Sequence, residues 1–117
     1  MAYAKKDFDE ALPLLQKANY KDPLLNLSAK VLLLKIYYEL DEFDLLQAHL
    51  DVMQNYILRK KVIGYHKKNY LNIIRYTKKL IGLNYFDKVA IEKLQLKVQQ
   101  EEILTEKKWL LQQLAMY

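Results

Sequence analysis

The chain has 117 residues and a mass of 14.0 kDa, the size of one domain or of about three or four helical hairpins. Two glycines and two prolines supply neither the turns of a β-sandwich nor a glycine-rich phosphate loop, and the absence of cysteine excludes disulfides, thiolate nucleophiles and thiolate metal sites. The net charge of +5 is uneven: residues 1–58 carry 6 basic and 9 acidic side chains, residues 59–88 carry 9 and 1, and residues 89–117 carry 4 and 4.

Apolar residues, at 52%, are sufficient for a buried core. The first twenty residues lack the continuous apolar stretch of a signal peptide. The most apolar run, Val31–Leu34, is broken at Lys35, far short of the roughly 20 residues that span a bilayer. The expectation is a soluble, cytoplasmic protein with no membrane span.

The apolar period is helical almost throughout, which makes the fold all-α. Asp7 is placed to cap a first helix to about Tyr20, with Glu10 three residues on as in a capping box. Ala11, Leu14, Leu15 and Ala18 share one stripe of it, and Pro13, inside it, predicts a local bend. Asp22 and Pro23 read as N-cap and first position of a second helix to about Leu40. That helix is apolar nearly all round; only Ser28, Lys35 and Glu39 form a thin polar strip, so it should be buried on most sides. Asp41 opens a third helix, about Glu42 to Arg59. Phe43, Leu46, Leu50, Met53 and Ile57 form one apolar face, and Leu45, Ala48, Val52 and Tyr56 form another, which predicts neighbours on two sides.

A break near Gly64 precedes a fourth helix, about Tyr65 to Leu83, whose inward stripe is Tyr70, Ile73, Ile74, Thr77, Leu80 and Ile81. Gly82 and Asn84 suit its end. Asp87 starts a fifth helix to about Glu102, with Val89, Ile91, Leu94 and Val98 inward. Thr105 is placed to cap a last helix holding Trp109, Leu110, Leu111 and Leu114, with Trp109 sealing the C-terminal end.

Residues 7–18, DFDEALPLLQKA, align with residues 42–53, EFDLLQAHLDVM, when Phe8 is placed over Phe43 at a spacing of 35. A period of about 34 residues made of two helices is the signature of tetratricopeptide arrays. The stretch KKDFDEALPLLQKANYKDP resembles the second helix of a tetratricopeptide repeat (TPR). Phe8 stands three before Ala11, Ala18 follows seven later with Leu15 between, and Pro23 closes the unit. The small residues let two helices approach, and the aromatic fills the space beside them. The second copy departs, with Leu46 and Met53 at the alanine positions, and the third hairpin, Tyr65 to Glu102, keeps only the helix–turn–helix form.

The resemblance implies a single TPR-like domain over residues 1–117. Its antiparallel helical hairpins, about six helices in all, stack into a right-handed superhelix. Relatives of that kind mostly bind other proteins. Only Met1 to Lys6 precede the first helix, so its partner helix is missing. The chain is then the C-terminal part of a longer array, or its open N-terminal end is covered by another subunit through self-association.

At about 100° per residue, Lys68, Asn72, Arg75 and Lys79 fall on one stripe of the fourth helix, opposite the apolar stripe centred between Tyr70 and Ile74. Tyr65 and Tyr76 border it, Lys67 and Lys78 flank it, and Arg59, Lys60 and Lys61 lie just upstream. Cations interleaved with aromatics suit phosphates and bases, an acidic peptide, an anionic membrane surface, or water alone. Lysine outweighs arginine and lacks the planar fork used in base reading.

His66 falls on the apolar face of the fourth helix as a packed or boundary residue, and His49 on the polar margin of the third. Neither has metal-ligand spacing. Asp41, Glu42 and Asp44 read as carboxylates meeting a helix dipole, and Glu101 and Glu102 as a solvated helix end. No catalytic set is assembled, and no cofactor or metal is expected. The expected function is a non-catalytic scaffold for a protein or peptide partner, an acidic one among the candidates. The candidate partner-binding residues are Lys35, Tyr38, Lys68, Asn72, Arg75 and Lys79, from the first helix of each pair. The alternative is nucleic acid or another polyanion bound through the basic segment 59–79.

Overall fold

The computed structural model describes residues 12–14, 16, 22–60 and 64–117. Every regular element among them is a helix, and none is a strand. The helices are α1 (Pro23–Glu39), α2 (Phe43–Arg59), α3 (Gly64–Ile81), α4 (Lys88–Gln100) and α5 (Lys107–Leu114). Residues 12–14 and 16 are helical as well. The rest of the first predicted helix lies outside the described residues, including Asp7 and the resemblance positions Phe8, Ala11, Leu15 and Ala18. No described helix is long and apolar enough to cross a membrane. The chain divides into two compact units, Met1–Met53 and Gln54–Tyr117, with the boundary inside α2.

In the first unit α1 begins as expected. The Asp22 carboxylate accepts from the Leu24 amide at 2.9 Å, and Pro23 occupies the first turn, where its missing N–H costs nothing. Asn26, Leu27, Val31, Leu33, Leu34, Ile36 and Tyr37 are buried, so the helix is covered on most sides. Its end corrects the expectation for Asp41. Asp41 does not cap α2; it sits in the left-handed region at φ 59 just beyond α1. Its N–H donates to Tyr38 O at 3.1 Å, and that of Glu42 donates to Tyr37 O at 2.9 Å. This is the Schellman pattern, which consumes the orphan carbonyls of a helix end.

The turn sends α2 back antiparallel to α1. Tyr38 meets Phe43 edge-on at 5.6 Å, and further along Lys30 lies opposite His49. Leu46, Leu50, Met53 and Ile57, on one helical stripe, are all fully buried. The second apolar face is covered only at Tyr56, which is buried; Leu45 and Val52 are 48% and 53% exposed, and Ala48 is exposed too. The expectation of neighbours on two sides of this helix is thus corrected for Leu45, Ala48 and Val52.

In the second unit α3 opens at Gly64, whose φ of +67° only glycine adopts without strain; the sequence places a break near this residue. Within α3, Ile73, Ile74, Thr77 and Leu80 are buried as expected, while Tyr70 and Ile81 are half-buried. Gly82 does not take the left-handed conformation expected of a helix-ending glycine. Asn84 instead forms the turn, its side chain accepting from the Phe86 amide at 2.9 Å. Asp87 caps α4, accepting from Ala90 N–H at 3.0 Å.

Ile91, Leu94 and Val98 of α4 face the core, whereas Val89, expected inward, is exposed. The N-cap position of α5 is Glu106, left-handed at φ 60 and without a side-chain cap bond; Thr105 does not fill it. Helix α5 packs on α4 and α3 and buries Trp109, Leu110, Gln113 and Leu114, so the tryptophan anchor is in place. Tyr117 closes the unit, donating to Leu80 O at 3.0 Å and stacking on Tyr85 at 4.8 Å.

Candidate functional site

Helices α3 and α4 form an antiparallel pair, with Arg75 opposite Glu101 at one end and Gly82 and Leu83 beside Ala90 at the other. Two adjoining cavities run along their seam. One, of about 330 Å³, is lined by Arg75, Tyr76, Lys79, Lys97, Gln100 and Glu101. The other, of about 370 Å³, is lined by Lys79, Gly82, Leu83, Ala90, Lys93, Leu94 and Lys97. Lys79 and Lys97 belong to both, so the two form one groove. Four cations line it against a single carboxylate. Lys79, Lys93 and Lys97 are exposed and make no ion pair with the described residues.

The polar end is built by side-chain bonds. Arg75 Nη2 donates to Glu101 Oε1 at 2.8 Å and to Asn72 Oδ1 at 3.2 Å. Tyr76 OH donates to the same Glu101 oxygen at 3.0 Å, and the Arg75 guanidinium lies 4.7 Å from the Tyr76 ring centroid. Burial, and after it the bond to Glu101, holds the Tyr76 phenol above the usual tyrosine range. Glu101 is therefore an inter-helix tie, which corrects its reading as a solvated helix end.

Asn72 is corrected too. It is 8% exposed, and its Nδ2 donates to Ile103 O at 2.8 Å. The segment after α4 thus covers the stripe at Asn72, while Lys68, Arg75 and Lys79 remain exposed. The structure brings Asn72, Arg75 and Lys79 to the α4 side and leaves Lys68 exposed outside the groove lining. Tyr76, expected at the border, is 4% exposed. Lys35 and Tyr38 belong to the first unit and are both half-buried.

The histidines exchange the environments expected of them. His66 is exposed, with Tyr65 edge-on at 5.7 Å. His49 is buried, with Nε2 donating to Lys30 O at 2.8 Å and Tyr37 edge-on at 5.5 Å. Among the described residues, no three His, Asp or Glu side chains group to hold a metal.

Lys93, Lys97 and Gln100 were not among the candidate residues, and Glu101 was assigned only to a helix end. Their signal was present: Lys93, Lys97 and Glu101 recur at four-residue spacing along one face. The charge count hid them, because residues 89–117 balance overall while the two lysines face α3. No family model, curated protein or solved structure matches this chain.

Proposed function

We propose that the chain is a non-catalytic, TPR-like helical scaffold that takes an acidic segment of a partner protein into the α3–α4 groove. The observation that carries this reading is the convergence of Arg75, Lys79, Lys93 and Lys97 on one groove that holds one carboxylate. Like charges so placed repel one another, and an anionic ligand relieves that repulsion. Peptide is favoured over nucleic acid by the side chains present. Tyr76, the groove's aromatic residue, is buried and offers no stacking face, and three of the four cations are ammonium groups without a base-reading fork. Self-association at the N-terminal end belongs to the same reading and is supported by Leu14, which is 75% exposed.

The test is fluorescence anisotropy with a labelled oligoglutamate peptide. Parent protein should bind it with an affinity that falls as salt rises. Lys79→Glu combined with Lys97→Glu should weaken binding at least about tenfold while the far-ultraviolet circular dichroism is retained. A single-stranded RNA of equal charge serves as comparator; preference for the RNA would overturn the acidic-peptide reading in favour of the polyanion alternative.

A further inference from the structure

The two ends of the groove differ in chemistry. Arg75, Tyr76, Gln100 and Glu101 make one end polar, and Leu83, Ala90 and Leu94 make the floor of the other apolar. Lys79 and Lys97 stand between, common to both, and Lys93 rims the apolar end. Small residues keep that floor low: Gly82 has no side chain and that of Ala90 is a single methyl group. A Cβ on Gly82 would meet nothing nearer than Lys78 O at 3.7 Å and Lys79 O at 3.9 Å, so the missing side chain is not forced by crowding. From Lys79 to Leu83, just beyond the end of α3, the chain advances about 6 Å, at about 1.5 Å per residue. An extended chain covers that length in about two residues, at roughly 3.3 Å each.

We infer that the groove reads a short acidic–apolar motif: carboxylates between Lys79 and Lys97, and one apolar side chain within about two residues of them, seated on Leu83, Ala90 and Leu94. Glu101 is a resident competitor at the far end. It already occupies Arg75, as an incoming carboxylate would, at 2.8 Å. The inference rests on the groove being the partner site and adds what the partner must carry. A purely electrostatic surface accepts any acidic peptide; this one discriminates among peptides of equal charge.

The experiment separates the two claims. Two labelled peptides of equal length and charge are compared on parent protein, four glutamates joined to leucine and four glutamates joined to serine, each pair made with the variable residue at either end. The leucine peptide should bind about tenfold tighter in one of the two orders. The difference should persist at high salt, because apolar burial is not screened. Glu101→Gln keeps an oxygen to accept from Tyr76 and removes the competing charge. It should tighten both peptides about threefold or more.

Equal binding of leucine and serine peptides, both abolished by Lys79→Glu with Lys97→Glu, would overturn the motif and leave the groove as a general anion site. A leucine advantage unchanged by Ala90→Glu, which sets a charge on the apolar floor, would place the apolar contact elsewhere and overturn the inference as well. Failure of every peptide to bind would remove the partner site itself.

Discussion

His49 shows how one side chain ties stability to pH. Burial pushes its pKa below the ordinary 6.5; the hydrogen bond to Lys30 O opposes the shift, and the Lys30 charge adds to it. The folded state thus resists a proton that the unfolded chain accepts. This contribution to stability is complete above about pH 6.5 and is lost as pH falls through the lower folded value. Melting temperature should fall below that pH in the parent, and His49→Gln should remove the histidine part of the slope; melts from pH 8 to 5 on both proteins check this. Thr77 carries a different cost. It is fully buried in α3, and its hydroxyl has no hydrogen-bond partner among the described residues. Thr77→Val keeps the shape and removes the stranded oxygen, so stability should rise by about 1 kcal/mol, read from the denaturant midpoint.

At the scale of elements, helix ends follow backbone conformation more than side-chain charge. Asp41 holds φ 59 because the Schellman turn after α1 needs a left-handed residue there. Asp41→Gly should raise stability by about 0.5–1 kcal/mol, since glycine adopts that conformation freely, and Asp41→Val should lower it. Equilibrium unfolding of the two variants in urea distinguishes the outcomes by sign. A helical wheel groups residues into faces but does not say which face a neighbour covers. Leu46 and Leu45 sit on two apolar faces of α2; the first is fully buried and the second is open. Asn72 shares a stripe with Lys68, yet the segment after α4 covers Asn72 and leaves Lys68 exposed. Arg75→Glu would set a carboxylate against Glu101, so it perturbs the fold as well as the groove. Lys79 and Lys97 are the cleaner positions for charge reversal.

For the whole molecule, charge is segregated by unit. Residues 54–117 carry 13 basic and 5 acidic side chains, whereas residues 1–53 carry 6 and 9. Concentrated like charge opposes compaction. The groove lysines add to that repulsion and have no ion pair among the described residues to offset it. Replacing Lys79, Lys93 and Lys97 together by glutamine should therefore leave the protein at least as stable as the parent, within about 0.5 kcal/mol or above it, while peptide binding is lost. Thermal melts and anisotropy on the same samples give both readings. A large loss of stability would make the lysine stems part of the packing.

The helix starts at Asp22 and Asp87 and the break at Gly64 were legible in the chain, because they rest on groups a few residues apart, whereas Asp41, Gly82 and Thr105 did not take the end positions expected of them. Asp22 before Pro23, Asp87 three residues before Ala90, and Gly64 at a positive φ each act through local backbone bonds or conformation. The alternating four- and three-residue spacing of Leu46, Leu50, Met53 and Ile57 is likewise local. Which faces are covered was decided only in the tertiary structure. So were the burial of His49, the bond from Asn72 to Ile103 O, and the union of Lys79 with Lys93 and Lys97. The reason is physical: a cap spends its energy within one turn, whereas burial and charge convergence belong to neighbours brought together from 12 or more positions away, a distance over which local periodicity carries no information.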